Sequence, residues 1–428
     1  MAGKALQTFQ APGPQGTEGL IFFPASLTET REFDTIHIEN TFVKVGGFMP
    51  MKANTIEIRR INRQNVFQYL YQHPHITKQE LAQGCELSMP TVSLNLTELT
   101  ALGLLESSGV RDSTGGRKAR LLSVNPSCRF AVGANITAHH ISCVLLNLCG
   151  QMIEHQRIRI HFSHSDEYMQ TLSGLIWNMI AQHQVEKGSL LGVGLSMPAI
   201  ISLDGQSLSY ASVLNFTNGT LEDFSGPIGL PCRFLNDASA GGYAELWHNP
   251  AFRSSNSNQP VVYLSLNNSI GGAFFLNGEE YAGNNQRSSE FGHMTLHPGG
   301  TTCYCGKQGC VDAYLSAMLL SDPYEGNLSA FFEELREHSP QALALWNPYI
   351  EDLCHTINNL RMAYDCMVIL GGYVGEYLAP HLDLLHRRVA ALNTFEADGN
   401  YLYIATDKLE NSAVGAALSW INEYIHML

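Results

Sequence analysis

The sequence predicts an α/β protein: a small winged helix-turn-helix head, then a large α/β body. Three observations carry that prediction. Residues 53–125 hold three short helical segments with capping residues, followed by a basic hairpin turned on glycines. Residues 126–428 alternate apolar strands with helices and place polar residues at strand ends. Within that body, His293, Cys303, Cys305 and Cys310 gather in one glycine-rich loop.

Composition narrows the class. The chain has 428 residues, 45% apolar and 15% charged, enough for two or three domains with sizeable cores. No apolar run reaches the roughly 18 residues of a membrane span, and the N-terminal stretch lacks the basic-then-apolar order of a signal peptide. Membrane insertion is therefore not expected. Ten cysteines, three of them bunched, fit a reducing, cytoplasmic setting better than a disulfide framework. Net charge is −14 but unevenly spread: residues 53–125 carry eight Lys/Arg against six Asp/Glu, and residues 126–428 carry thirteen against twenty-eight. A slightly basic module on an acidic body is the asymmetry of a nucleic-acid-binding end.

Residues 1–52 have Pro and Gly punctuation and no sustained period, and read as a poorly ordered N-terminal extension with some strand-like alternation at 35–45. The first helix follows Asn54 and ends before Pro74, with Ile58, Ile61, Val66, Tyr69 and Leu70 at helical spacing. Thr77 caps the second helix, and Glu80 completes a capping box. Ser88 caps the third, with Pro90 in its first turn. Its expected buried stripe is Val92, Leu96, Leu99 and Leu102, which leaves Thr91, Ser93, Leu94, Asn95 and Thr97 nearer solvent. As the second helix of the helix-turn-helix, it is the candidate for the DNA major groove, through Thr91, Ser93 and Asn95. Gly115-Gly116 turns the wing, where Arg117, Lys118 and Arg120 suit phosphates or a narrow minor groove.

In the body, Phe130–Val132 and Ile141–Leu146 read as paired strands, and a third covers Met152–Ile160. A helix is expected around Glu167–Lys187, and buried strands at Leu190–Leu195 and Cys232–Leu235. The second of these ends at Asn236-Asp237, where a helix begins. Val261–Leu266 pairs with Ala273–Leu276 through N-N-S-I-G-G.

The Cys/His loop spans residues 290–312. Three thiolates and one imidazole match the number and type of ligands in a closed tetrahedral Zn2+ site. Glycines at 299, 300, 306 and 309 permit the tight folding that would turn the thiolates inward. His297 competes with His293 for the fourth position.

These residues bring the chain close to a known family. E-F-G-H at 290–293, then C-Y-C-G-K-Q-G-C-V-D at 303–312, resembles the signature of the ROK family of repressors and sugar kinases, with Asp312 in place of the usual Glu. The resemblance covers residues 53–425 and implies an actin-like (ribonuclease H-like) body of two lobes. It implies a sugar site at Asn236, Asp237, Glu290 and His293, with Asn215 and Asp312 as weaker additions. Carboxylates accept hydrogen bonds from sugar hydroxyls, and an amide both donates and accepts.

The family's kinases need glycine-rich turns around ATP phosphates. Here the first turn reads Asn135-Ile136-Thr137-Ala138, and the second, Asn267-Asn268-Ser269, has lost its leading glycines. Only Gly371-Gly372-Tyr373 keeps part of the later, adenosine-side turn. Side chains there would keep the backbone away from a phosphate. The expectation is a non-enzymatic transcriptional repressor: a dimer or tetramer on operator DNA, controlled by a sugar or sugar phosphate. A transport-system protein is an alternative controlling partner, and a sugar kinase with an appended DNA-binding head is the rival reading.

Overall fold

The computed structural model describes residues 55–111, 119–249, 252, 259–406 and 410–428. The expected N-terminal extension, its strand-like stretch, the cap at Asn54, and the wing turn with Arg117 and Lys118 lie outside the described residues.

The head consists of α1 (Thr55–Gln72), β1 (Ile76–Thr77), α2 (Lys78–Gly84), α3 (Met89–Ala101), β2 (Leu105–Arg111) and β3 (Ala119–Val124). Its antiparallel sheet has the order β1-β3-β2. The expected capping box is present: Thr77 Oγ1 accepts from Glu80 N at 3.3 Å, and Glu80 Oε2 accepts from Thr77 N at 2.8 Å. Ser88 Oγ accepts from Thr91 N at 3.3 Å and so caps α3. These bonds satisfy orphan amides at each helix start.

The stripe on α3 differs from the expected one. Val92, Asn95 and Leu99 are buried, Leu96 is half-buried, and Leu102 is 47% exposed. At 100° per residue, position 95 lies beside 92 and 99, whereas 94 points the opposite way. Asn95 is therefore inside, where its Nδ2 donates to Thr91 O at 2.9 Å, and Leu94 is outside at 46% exposure. Leu102 falls past the last packed turn, before Gly103 at φ +72°. Ile58 and Ile61 on α1 are exposed as well.

The body contains two sheets of like topology. In the first lobe come β4 (Phe130–Ile136), β5 (His140–Asn147), β6 (Met152–Arg159), α4 (Asp166–Gln182), β7 (Leu190–Met197), the short hairpin β8 (Ile200–Ile201) and β9 (Leu208–Tyr210), α5 (Leu221–Ile228), and β10 (Cys232–Asn236). Then α6 (Asp237–His248) leads to β11 (Val261–Leu266), β12 (Ile270–Leu276) and β13 (Glu279–Glu280). The second lobe is completed by α7 (Leu328–Arg336), α8 (Pro340–Tyr364), β14 (Met367–Gly371), α9 (Leu382–Leu392) and β15 (Leu402–Ile404), and α10 (Asn411–Met427) returns to pack on the first sheet. The sheets run β10-β7-β4-β5-β6 and β13-β12-β11-β14-β15. Each is an antiparallel meander extended by two parallel strands, so one ribonuclease H-like plan occurs twice.

Helices α6 and α10 pack at very short range. A Cβ on Gly415 of α10 would lie 1.7 Å from Ala240 O of α6, so glycine is required there. One hydrophobic core continues from the first sheet through α10 into the head, joining Val144, Leu146, Leu418, Ile421 and Ile425 to Val66, Phe67 and Leu70. Arg63 Nε donates to Leu428 O at 2.6 Å, and its guanidinium pairs with Glu98 at 3.1 Å.

Candidate functional site

The strand ends meet at a cavity of about 580 Å3. Its walls are the β8–β9 hairpin, the β10–α6 junction, the start of β12, and the segment 282–290. Polar strand ends collect here because a strand's last residues emerge from the sheet and leave the apolar core.

Asn236 and Asp237 occupy the β10–α6 junction and line the cavity. Asn236 is also the cap of α6: its Oδ1 accepts from Ala238 N at 3.0 Å and Ser239 N at 3.2 Å, and its Nδ2 donates to Ala199 O at 3.2 Å. Most of its hydrogen-bonding capacity is thus structural, leaving one amide hydrogen for a ligand. Asp237 Oδ1 accepts from Ala238 N at 3.0 Å. Burial pushes the Asp237 carboxyl up to about 6, and the nearby Glu290 adds to the rise. Burial raises Glu290 too, against the pull of His293 and Arg287.

Glu290 and His293 line the same cavity, on a short turn spanning Phe291–His293. Gly292 between them is tightly placed: a Cβ there would meet Ile270 O at 2.3 Å and Asp312 Oδ2 at 3.2 Å. Asn215 and Asp312, proposed from the sequence as additions to the sugar site, do not line the cavity. Asn215 sits exposed in a left-handed conformation at φ +49°. Asp312 is 4% exposed, and its Oδ2 accepts from Ile270 N at 2.8 Å. That bond ties the cysteine loop to β12.

Behind the cavity wall, ligand atoms of His293, Cys303, Cys305 and Cys310 lie within 4.8 Å of one another. Cys305 Sγ and Cys310 Sγ are 3.7 Å apart, and Cys303 Sγ is 4.0 Å from His293 Nδ1. A tetrahedron with metal–sulfur bonds of about 2.3 Å has edges of about 3.8 Å. The four residues therefore fit a tetrahedral metal ion. His297 is drawn elsewhere, its Nε2 2.7 Å from Asp352 Oδ1. His293 Nε2 lies 3.4 Å from Tyr304 Oη, so the imidazole faces the thiols on one side and the cavity mouth on the other.

A second cavity of about 350 Å3 opens on the other side of Asp237. It is lined by the β4–β5 and β11–β12 turns and by Gly371-Gly372. Asn267 Oδ1 accepts from Tyr373 N at 2.8 Å, and Arg157 pairs with Glu410 at 3.2 Å. A backbone amide and a guanidinium that could face a phosphate are both engaged with other protein groups.

A family model described as the ROK family matches residues 131–423. The chain belongs to the ROK family. Among curated ROK relatives, the xylose repressor of Bacillus spizizenii is 25% identical over 269 residues, covering 63% of this chain and 69% of that protein. The DNA-binding transcriptional dual regulator NagC of Escherichia coli is 22% identical over 354 residues, covering 81% and 84%. A solved ROK family transcriptional regulator, a homologue of E. coli MLC, superposes with a TM-score of 0.68 at 18% identity, over 86% of this chain and 97% of its own. The ROK hexokinase of Thermus thermophilus gives a TM-score of 0.54 at 21% identity, over 69% and 99%. The actin-like fold of the body is thus shared with both of these solved structures. No helix among the described residues is long and apolar enough to cross a membrane.

In the head, Thr91 and Ser93 are half-buried on α3, and Arg120 is exposed on β3. Ser93 Oγ donates to Met89 O at 2.6 Å. Asn95 is removed from the candidate DNA surface by its burial, and the exposed Leu94 enters it. Glu280 is a further cavity residue that pattern reading missed. Its signal was the Asn277-Gly278 dipeptide, whose φ values of +56° and +80° make the tight hairpin turn that delivers β13 to the site.

Proposed function

We propose that this protein is a DNA-binding transcriptional repressor of sugar transport or catabolic genes, controlled by a sugar or sugar phosphate in the first cavity. The observation that carries the reading is the contrast between the two cavities. The first keeps Asp237, Glu290 and His293 on its wall. In the second, Asn267 caps the Tyr373 amide, and Arg157 is neutralised by Glu410. Phosphoryl transfer rests on positioning and charge stabilisation of phosphates, and both groups are engaged with protein partners instead. The regulators among the relatives support the same reading.

In this reading residues 53–125 are the DNA-binding head, and residues 126–428 are the effector body with its loop at 290–312. His293, Cys303, Cys305 and Cys310 would hold Zn2+, which braces the wall carrying Glu290. A homodimer presents two heads to a palindromic operator, with Thr91, Ser93, Arg117, Lys118 and Arg120 toward DNA. The effector acts by its differential affinity for two states, typically about 1–3 kcal/mol of coupling. A physical route exists: α6 starts at the cavity wall, packs on α10, and α10 packs on α1 of the head. A transport-system protein acting on the same body is a compatible second input.

The test is operator binding by fluorescence anisotropy across a panel of sugars and sugar phosphates, together with an ATP-Mg turnover assay. Release of the operator by one sugar class, without turnover, is expected. Turnover at about 1 s−1 or faster would identify a kinase instead.

A further inference from the structure

Within that proposed function, the charge around the first cavity narrows the effector. Three carboxylates line it: Asp237, Glu290 and Glu280. Glu280 comes from the second lobe's edge strand β13, and its Oε1 accepts from Ser239 Oγ in the first turn of α6. Its other oxygen has no protein donor among the described residues. Against these, the basic side chains lining the cavity are Arg233, Arg287 and His293 among the described residues. Arg233 is paired with Glu423 and stacked 3.8 Å over the Trp420 ring. His293 is committed to the thiol cluster. Arg287 alone remains to face three carboxylates.

We propose that Glu280 contacts the effector and that, with Asp237 and Glu290, it restricts the cavity to a sugar without a phosphate group. Hydroxyls of an uncharged sugar donate to carboxylates and leave the local charge unchanged. A phosphate dianion would enter a net negative, partly desolvated cavity with one guanidinium to receive it. The β13 register, Phe275 opposite Glu280, holds the carboxylate at the cavity edge.

The test is titration calorimetry of the full chain with glucose, xylose, N-acetylglucosamine, glucose 6-phosphate and N-acetylglucosamine 6-phosphate. An unphosphorylated sugar should bind at least about tenfold more tightly than its 6-phosphate. Glu280→Gln retains an acceptor for Ser239 but loses the charge. It should weaken the neutral sugar and narrow the discrimination against the phosphate by about tenfold. A 6-phosphate that binds as well as its parent sugar overturns this inference and leaves the sugar reading standing. Failure of every sugar and sugar phosphate to bind removes the sugar reading itself. A selectivity ratio unchanged in Glu280→Gln shows that Glu280 does not set it.

Discussion

The desolvation of Asp237 costs stability, and the consequence is measurable. Its carboxyl is raised from an ordinary 3.8 to about 6, first by burial and then by the charge of Glu290. Below pH 3.8 the group is protonated in folded and unfolded chains alike, and folding carries no penalty. As pH rises toward 6 the unfolded chain loses the proton more readily, so stability falls, and above 6 the penalty is complete. That gap corresponds to about 3 kcal/mol at pH 8 and about half as much at pH 5. Asp237→Asn keeps an oxygen for the Ala238 amide and removes the charge. The variant should therefore be more stable than the parent in urea at pH 8, and the gain should shrink at pH 5. Sugar binding should be lost in the same protein. An Asp237→Asn variant no more stable at pH 8, or with a gain independent of pH, would refute the burial argument.

Three other perturbations test the remaining parts. Cys310→Ser should lose most of its zinc by elemental analysis and lower the thermal midpoint by about 5 °C or more, since the cluster would be left with two thiolates and His293; full metal content would refute the ligand set. Arg120→Ala should weaken operator binding regardless of sequence and flatten the log K against log salt slope by about 0.9, the value for one phosphate contact; an unchanged slope would remove β3 from the DNA surface. Asn95→Ala should destabilise the head by about 1 kcal/mol through loss of the bond to Thr91 O, with operator preference unchanged; altered base preference without destabilisation would return Asn95 to the interface.

Local chemistry was legible in the sequence wherever a short-range pattern decides the outcome. Thr77 with Glu80, Ser88 with Pro90, and Asn236 before α6 each form a helix start from residues a few positions apart. The strand pairs of the body follow from apolar runs. The cysteine spacing places three thiols in one turn, because Gly306 and Gly309 adopt φ near +80°. The face of α3 was misread because Leu94 and Asn95 are adjacent and of opposite polarity to their final surroundings, and only packing against α1 and α2 sets the rotation. Asp312 was expected beside the sugar site from its motif, yet its carboxylate accepts from Ile270 N and does not line the cavity. Glu280 reaches the cavity from a strand 43 residues beyond Asp237 because Phe275 pairs with it across β12 and β13. By itself the sequence determined the helix starts, the paired strands of the body and the thiol cluster. Which carboxylates share the cavity, which are withdrawn from it, and how α6 and α10 join it to the head depended on long-range packing, which local patterns do not encode.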